Sequence, residues 1–265
     1  MGKKRGKKRQ LEMAVARVHL RFGPRSLFKG RIPAAADTSA PFPHIPTGFP
    51  ALDSALGIGG LPKGRVSELV GLPTSGKTTL ALKLLSQAQA DGGQVGYVDQ
   101  AHYFDPDYAH RCGLDLSRLL VGSPLDLREA LAMTESLARS GGLSALVFDA
   151  LEVLWTDPDA ARRLAAALNR LTARLAHSGT VLLFLHASPA SPGKDPSTAG
   201  SPALSALAHY ASVRLQVTRE RWLRRGGDIR GYEARVKVLK NRLGPAGRTA
   251  TIAIEFNGTV RGNGL

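Results

Sequence analysis

A glycine-rich stretch, GLPTSGKTT, carries the residue types that hold a chain of phosphates. Gly71, Gly76, Lys77 and Thr78 have the spacing G-x-x-x-x-G-K-[ST]. In this pattern backbone N–H groups cradle the phosphates, the lysine neutralises their outer oxygens and the hydroxyl binds Mg²⁺. The sequence therefore predicts a nucleoside triphosphate site, which we assign to Gly71, Pro73, Thr74, Ser75, Gly76, Lys77, Thr78 and Thr79.

A carboxylate follows another apolar run, as such a site requires. Asp149 ends the segment SALVFD, where it could hold Mg²⁺ together with Thr78. The alternative is a strand-end aspartate that caps the next turn. The phosphate loop upstream favours the metal role.

These residues need a parallel sheet to position them. Apolar runs that alternate with helical patterns predict buried strands covered on both faces, at Val66–Val70, Val95–Val98, Leu119–Val121, Ala145–Phe148 and Val181–Leu185. Before the last of these, Asp157 and Pro158 begin a predicted helix that Gly179 ends, with Leu164, Leu168, Leu171 and Leu175 on one face. Glycine turns then separate predicted antiparallel strands at Ser212–Thr218, Glu233–Lys240 and Thr249–Phe256.

The N-terminal segment differs from this α/β body. We predict three parts: a basic tail and helix over 1–30, a Pro-rich linker over 31–46, and the body over 47–265. Leu11, Val15, Val18 and Phe22 share one helical face. That face can dock on a neighbouring molecule or pack on its own body, and the sequence leaves both open.

Composition limits the partners. The net charge of +15 and pI near 10.5 favour a polyanion such as nucleic acid, although a basic surface can also serve solubility alone. One cysteine excludes an internal disulfide, and the scattered histidines lack metal-ligand spacing. Neither a signal-peptide core nor a membrane-spanning run is present, so we expect a cytoplasmic protein without membrane contact.

Most of the chain resembles the bacterial RecA family of ATP-dependent recombination proteins. The resemblance is carried by IPTGFPALDSALGIGGLPKGR, the phosphate loop, VDQAHYFDPDYAHRCGLDLSRLL, LARSGGLSALVFDA, HYASVRL and ARVKVLKNR. It implies a RecA-like ATPase core with a mainly parallel central sheet, an antiparallel C-terminal extension and an N-terminal helix that packs on the adjacent protomer. It also implies that Asp105 and Tyr108 contact the adenine of ATP, and that Lys240 and Arg242 reach the nucleotide of a neighbouring subunit.

The sequence departs from the family at two positions that take part in ATP hydrolysis in RecA proteins. Ala101 occupies the position of the glutamate that activates water in RecA proteins, and Ala187 that of the glutamine that senses the γ-phosphate. Gln100, His102, Glu152 and His186 are the nearby residues that could compensate, but ordinary strand-end or loop roles are simpler. We expect ATP and Mg²⁺ to bind while hydrolysis is weak or absent.

The DNA-contacting parts also differ from those of RecA. The first DNA loop is shortened to about Glu152–Pro158, the second, about Ala187–Ser201, carries only Lys194 as a base, and we expect the C-terminal domain to be absent. Our candidates for binding DNA, preferentially single strands, are Lys194 in the second loop and Arg221, Arg224 and Arg225 beside a predicted turn. Arg219, Arg235, Lys237, Arg248 and the six Lys/Arg of the tail add further positive charge.

Three functions fit these observations. The first is a RecA paralogue of DNA repair, recombination or the SOS damage response, similar in size to ImuA-type proteins, with RecA, a second copy of itself or error-prone polymerase subunits as partners. The second is an active DNA-dependent ATPase and recombinase that forms filaments on single strands. The third, a small-molecule kinase, lacks a recognisable lid or substrate pocket.

Overall fold

The computed structural model describes residues 2–23, 26–27, 42–149, 158–187, 202–255 and 262–264. The chain divides into two units, Met1–Pro41 and Phe42–Leu265. The first unit contains helix α1 (Gly2–Phe22). This helix includes most of the basic tail, and its apolar residues Leu11 and Phe22 are exposed.

The second unit is built on a nine-stranded sheet. Its strands are β3 (Val66–Gly71), β4 (Gln94–Asp99), β5 (Leu119–Gly122), β6 (Leu143–Asp149), β7 (Val181–Ala187), β8 (Val213–Arg225), β9 (Asp228–Asn241), β10 (Thr249–Glu255) and β11 (Gly262–Gly264). They lie in the order β11-β10-β9-β8-β3-β7-β6-β4-β5. Neighbouring strands are parallel from β8 through β3 to β5 and antiparallel from β8 to β11. A separate pair consists of β1 (His44–Ile45) and β2 (Leu61–Pro62).

Helices cover both faces of the parallel strands. They are α2 (Pro50–Leu56), α3 (Lys77–Ala90), α4 (Pro106–Arg111), α5 (Leu127–Ser140), α6 (Pro158–Ser178) and α7 (Pro202–Tyr210). One apolar cluster joins α2 and α3 to the sheet through residues such as Leu80 and Val147. A second cluster joins α5, α6 and α7 to the opposite face through residues such as Leu168 and Phe184. Burial on both faces explains why these strands are continuously apolar.

The predicted α/β fold class is confirmed, including the parallel strands, the antiparallel extension and the helix that ends before Gly179. The proposed N-cap of that helix, Asp157, lies outside the described residues. The second unit begins at Phe42, so the final residues of the predicted linker, His44–Ile45, belong to the body as β1.

The hairpin of β8 and β9 is longer than the predicted strands Ser212–Thr218 and Glu233–Lys240. The outer half of the hairpin was not predicted, because its sequence is rich in arginine and exposed strands lack the apolar runs that indicate a strand. Cross-strand pairs stabilise this part: Arg221 pairs with Glu233, Glu220 with Arg235, and Trp222 meets Tyr232 edge to face. The hairpin thus extends as a basic ribbon to the turn at Gly226 and Gly227.

A buried ionic cluster lies in the middle of the sheet. Glu68 on β3 accepts hydrogen bonds from Arg214 Nε on β8 at 2.5 Å, and it contacts His186 Nε2 on β7 at 2.7 Å. All three residues are buried. Burial alone raises the pKa of Glu68, but the hydrogen bonds and charges of His186 and Arg214 outweigh burial and leave that pKa lowered. Glu68 therefore stays ionised inside the sheet.

We predict that Arg214→Met lowers the free energy of unfolding by about 3–5 kcal/mol, because it leaves a buried carboxylate without its charged partner. The matched control, Arg235→Met, removes the surface partner of Glu220 and should cost less than about 1 kcal/mol. Urea unfolding of the two variants measures this difference. Adding Glu68→Gln to Arg214→Met should recover part of the loss, and equal small losses in both single variants would contradict the prediction.

Candidate nucleotide-binding site

The phosphate loop runs from the end of β3 to the start of α3. Gly76 adopts φ 105°, and a Cβ there would lie 2.8 Å from the Tyr232 hydroxyl oxygen, so both the backbone and the space require glycine. Thr74 has φ 60°, a left-handed conformation that is uncommon outside glycine. Such strain is often maintained at ligand sites.

The interior of the loop has the donors that a phosphate needs. Lys77 Nζ donates to the carbonyl oxygens of Gly71 and Leu72 at 2.8 and 2.9 Å. Ser75 Oγ is buried and has no hydrogen-bond partner among the residues that the structure describes. A buried hydroxyl without a partner is costly, and a phosphate oxygen would satisfy it. The loop residues therefore fit a bound triphosphate.

The predicted metal ligands are placed on adjacent elements. Thr78 is exposed at the first turn of α3, and Asp149 ends β6 in register with Asp99 of β4. The Tyr97 hydroxyl donates to Asp149 Oδ2, which orients the carboxylate. Burial, followed by the negative charge of Asp149, raises the pKa of Tyr97, so this phenol remains a donor. Hydroxyl and carboxylate oxygens are among the oxygen ligands that Mg²⁺ prefers.

Hydrogen bonds hold the turn after β4, where we predict that Ala101 replaces the glutamate. Asp99 accepts hydrogen bonds from the backbone N–H groups of Tyr103 and Phe104 at 3.1 and 2.9 Å. Ala101 lies in this turn, half-buried. Gln100 donates its backbone N–H to the Asp149 carbonyl at 2.6 Å. Its side-chain Oε1 is buried and has no hydrogen-bond partner within the described part of the chain. The turn positions Gln100 next to the strand that carries the metal ligand.

Ala187, the second predicted departure from the family, also lies beside the phosphate loop. Ala187 is the register partner of Gly71 on neighbouring strands, so the residue at this position adjoins the start of the loop. His186 is fully buried against Glu68 and cannot substitute for the missing glutamine. His102 is exposed in the turn with φ 57°. Glu152 and Lys194 lie outside the described residues.

A cavity of about 320 Å³ opens next to the loop. Its wall consists of Thr74, Gly76, Lys77, Thr78, Thr79, Tyr108, Arg219, Trp222 and Tyr232. Tyr108 OH lies 2.5 Å from Thr79 Oγ1, and burial raises the pKa of Tyr108 to about 12. Asp105 accepts from the Tyr108 N–H at 3.0 Å and caps α4, which fixes the position of this ring. Sequence reasoning missed the three hairpin residues of this wall.

The cations predicted to act in trans lie away from this cavity. Lys240 pairs with Arg214, which lies near the beginning of β3, whereas the phosphate loop follows the end of β3. Lys240 Nζ donates to the carbonyls of Ala208 and His209 at 2.6 and 3.1 Å, and Arg242 Nη2 donates to His209 at 2.7 Å. Burial, helped by the charges of Arg242 and Arg214, lowers the pKa of Lys240 to about 8. In this arrangement the two side chains stabilise the C-terminal end of α7.

The three candidate DNA-binding arginines are not equivalent. Arg221 donates two hydrogen bonds to Glu233 at 2.6 and 2.7 Å, so its charge is partly neutralised. Among the residues the structure describes, no carboxylate pairs with Arg224 or Arg225. These two side chains line an open cavity of about 470 Å³ with Leu223, Arg230 and Glu255. The tip of the hairpin is therefore more basic than its middle.

Comparisons with known proteins agree with this architecture. The sequence profile of the RecA N-terminal domain matches residues 9–261. The chain is 39% identical to the RecA protein of Frankia alni over 270 residues, which cover 96% of this chain and 76% of that protein. It is 37% identical to the RecA protein of Methylococcus capsulatus over 268 residues, covering 94% and 75% of the two chains.

The fold has a counterpart among solved structures. A crystal structure of the RadB recombinase superposes with a TM-score of 0.62 at 22% sequence identity, covering 82% of this chain and 98% of the other. At this identity the similarity concerns the fold. Together with the sequence matches, which span nearly the whole chain, it leads to one conclusion: the chain belongs to the RecA family.

Proposed function

We propose that this protein binds ATP and Mg²⁺, hydrolyses ATP weakly or not at all, and acts on DNA in recombination, repair or the damage response. One observation carries the proposal. The wall of the cavity beside the phosphate loop supplies hydroxyls, cations and aromatic rings, but none of its described residues is acidic. Binding groups are present while the acid that would activate water is replaced by Ala101.

The proposed binding mode follows from the contacts of the loop. Lys77 would exchange the carbonyls of Gly71 and Leu72 for phosphate oxygens, and the Ser75 hydroxyl would gain its missing partner. Thr78 and Asp149 would hold Mg²⁺, which neutralises phosphate charge when bound. Tyr108, held by Thr79 and by the turn at Asp105, offers a ring on which adenine can stack.

The side-chain oxygen of Gln100 supports a second candidate function, that of an active ATPase. A glutamine orients the attacking water in some phosphate-loop GTPases. The Gln100 backbone is bonded to Asp149, and its side-chain Oε1 is buried with no partner among the described residues, so it could accept a hydrogen bond from such a water. This would support an active DNA-dependent ATPase and filament-forming recombinase despite Ala101.

DNA binding is assigned to the hairpin. Arg224 and Arg225 at its tip can contact phosphates without reading bases, so we propose binding that favours single strands and depends on salt rather than sequence. Arg221 would contribute less to DNA binding, because it is already paired with Glu233.

The RecA-family assignment also supports association between copies. Lys240 and Arg242, which lie near the opposite end of β3 from the phosphate loop, would reach the nucleotide of a neighbour. The exposed apolar residues of α1 would dock on that neighbour or on RecA. Error-prone polymerase subunits are the further partners we propose, and co-purification from damaged cells tests them.

We predict that Lys77→Ala abolishes ATP binding, because the cation that neutralises the outer phosphates is removed. Isothermal titration calorimetry with MgATP measures the change. Lys63→Ala, on the turn before β3, is the matched control and should bind as the parent does. Equal ATP affinity in the parent and in Lys77→Ala would contradict the phosphate-loop assignment.

We predict little single-turnover hydrolysis of ATP by the parent, with or without single-stranded DNA. The double variant Ala101→Glu/Ala187→Gln restores the water-activating acid and the γ-phosphate contact, so its rate should rise by a factor of about 10²–10⁴. Gln100→Ala separates the two candidate functions. A DNA-stimulated parent rate that Gln100→Ala removes would support the active recombinase and contradict weak hydrolysis.

We predict that Arg224→Gln/Arg225→Gln weakens binding to a single-stranded oligonucleotide and reduces the slope of log affinity against log salt by about 1.4, since two phosphate contacts are lost. Fluorescence anisotropy at several salt concentrations gives both values. Arg162→Gln/Arg163→Gln on α6 removes the same net charge from another surface. If the two double variants weaken binding equally, the hairpin is not the specific contact.

A further inference from the structure

The phosphate loop has a cationic neighbour from the hairpin that neither the sequence motif nor the family resemblance assigns. Arg219 on β8 donates from Nη1 to Thr74 Oγ1 at 3.3 Å. Thr74 is the loop residue with the strained backbone. The contact therefore connects the hairpin to the part of the molecule that would surround the phosphates.

The guanidinium of Arg219 is held in place by an aromatic ring. Its Cζ lies 4.4 Å from the centre of the Trp222 ring, and Trp222 meets Tyr232 edge to face with centroids 6.0 Å apart. A cation over the face of tryptophan is attracted by the negative face of the ring. Tyr232 is itself buried under Gly76, so this stack is anchored to the loop.

The charge of Arg219 is available to a ligand. Its neighbours along the hairpin are paired, Arg221 with Glu233 and Arg235 with Glu220. Across the described part of the chain, no carboxylate forms an ion pair with Arg219. Its hydrogen bond to Thr74 is long for an N–H···O contact, so an anionic acceptor would compete with it easily.

We propose that Arg219, stacked on Trp222, is a phosphate-binding residue of the nucleotide site that the hairpin contributes within the same chain. The proposal rests on ATP binding as proposed above. Arginine suits this role because its planar group can stack on the ring and present two donors to phosphate oxygens together. Arg219 and Lys77, which line the same cavity, then approach the phosphates from two different elements.

Calorimetric titration with MgATP and with inorganic tripolyphosphate tests the proposal. Arg219→Gln should weaken both ligands about 10–100-fold, as expected for the loss of a charge-assisted hydrogen bond. Arg219→Lys keeps the charge but lacks the planar guanidinium group, so its affinity for both ligands should lie between those of Arg219→Gln and the parent. The matched control is Arg230→Gln, an exposed arginine of the same hairpin outside the cavity wall, which should bind both ligands as the parent does.

The outcomes are distinguishable. If the parent binds MgATP and Arg219→Gln binds both ligands within twofold of the parent, the role of Arg219 is wrong while ATP binding stands. If Arg219→Gln binds ATP more weakly but tripolyphosphate as the parent does, Arg219 contacts the base or ribose, and the phosphate assignment is wrong. A parent that binds neither ligand contradicts both proposals. Circular dichroism and unfolding midpoints equal to those of the parent confirm that the exposed substitution leaves the fold intact.

Discussion

Strand β3 is the element on which the site depends, because it is buried between β7 and β8 and leads directly into the phosphate loop. Its Glu68 carboxylate joins the three strands through His186 and Arg214. Such a cluster contributes little net stability when complete, since desolvation offsets much of the attraction, but it tolerates only one register of the strands. A one-residue slip would separate Glu68 from both partners and move the loop relative to Ala187 and Val217, its register neighbours at Gly71. The ionic cluster thereby fixes the geometry of a loop at the other end of the same strand.

The sequence was sufficient for those elements around the candidate site that depend on local chemistry. The phosphate motif required a strand before it and a helix after it, and apolar runs marked the buried strands because parallel strands covered on both faces exclude polar side chains. The position of Asp149 at the end of β6 could be predicted for the same reason, and its role as a metal ligand stays a prediction. The outer half of the hairpin could not be found in this way. Its exposed strands are rich in arginine, and only the cross-strand pairs seen in the structure explain them. Arg219, Trp222 and Tyr232 were missed because their place at the cavity depends on that pairing, although a tryptophan and a tyrosine flanking a Gly-Gly turn were a usable signal.

Binding and hydrolysis make different demands on this architecture. Holding a triphosphate requires positive charge and hydrogen-bond donors, which the loop, Lys77 and the start of α3 provide from rigid elements. Hydrolysis also requires a group that positions and activates water at the end of β4. Asp99 cannot serve, because its two oxygens hold the backbone of Tyr103 and Phe104. In the proposed function, this turn presents the methyl group of Ala101 where a glutamate would activate water. ATP would then serve as a bound ligand that stabilises one state of the protein.

The hairpin carries both the arginine that we propose for the nucleotide site and the arginines that we propose for DNA binding. Arg219 contacts Thr74 of the phosphate loop. Arg224 and Arg225 lie near the turn, about 17–20 Å further along a strand that rises about 3.3 Å per residue. Between them the two strands are linked by the Arg221–Glu233 pair and by the contact of Trp222 with Tyr232. A phosphate that drew Arg219 from Thr74 would act on the Trp222 stack and so on the same ribbon that carries the basic tip. If ATP favours one orientation of the ribbon, DNA bound at the tip must favour ATP by the same factor, because coupling between two sites is reciprocal. Such coupling requires no hydrolysis, so it is compatible with the proposed function, in which ATP is bound but turned over slowly.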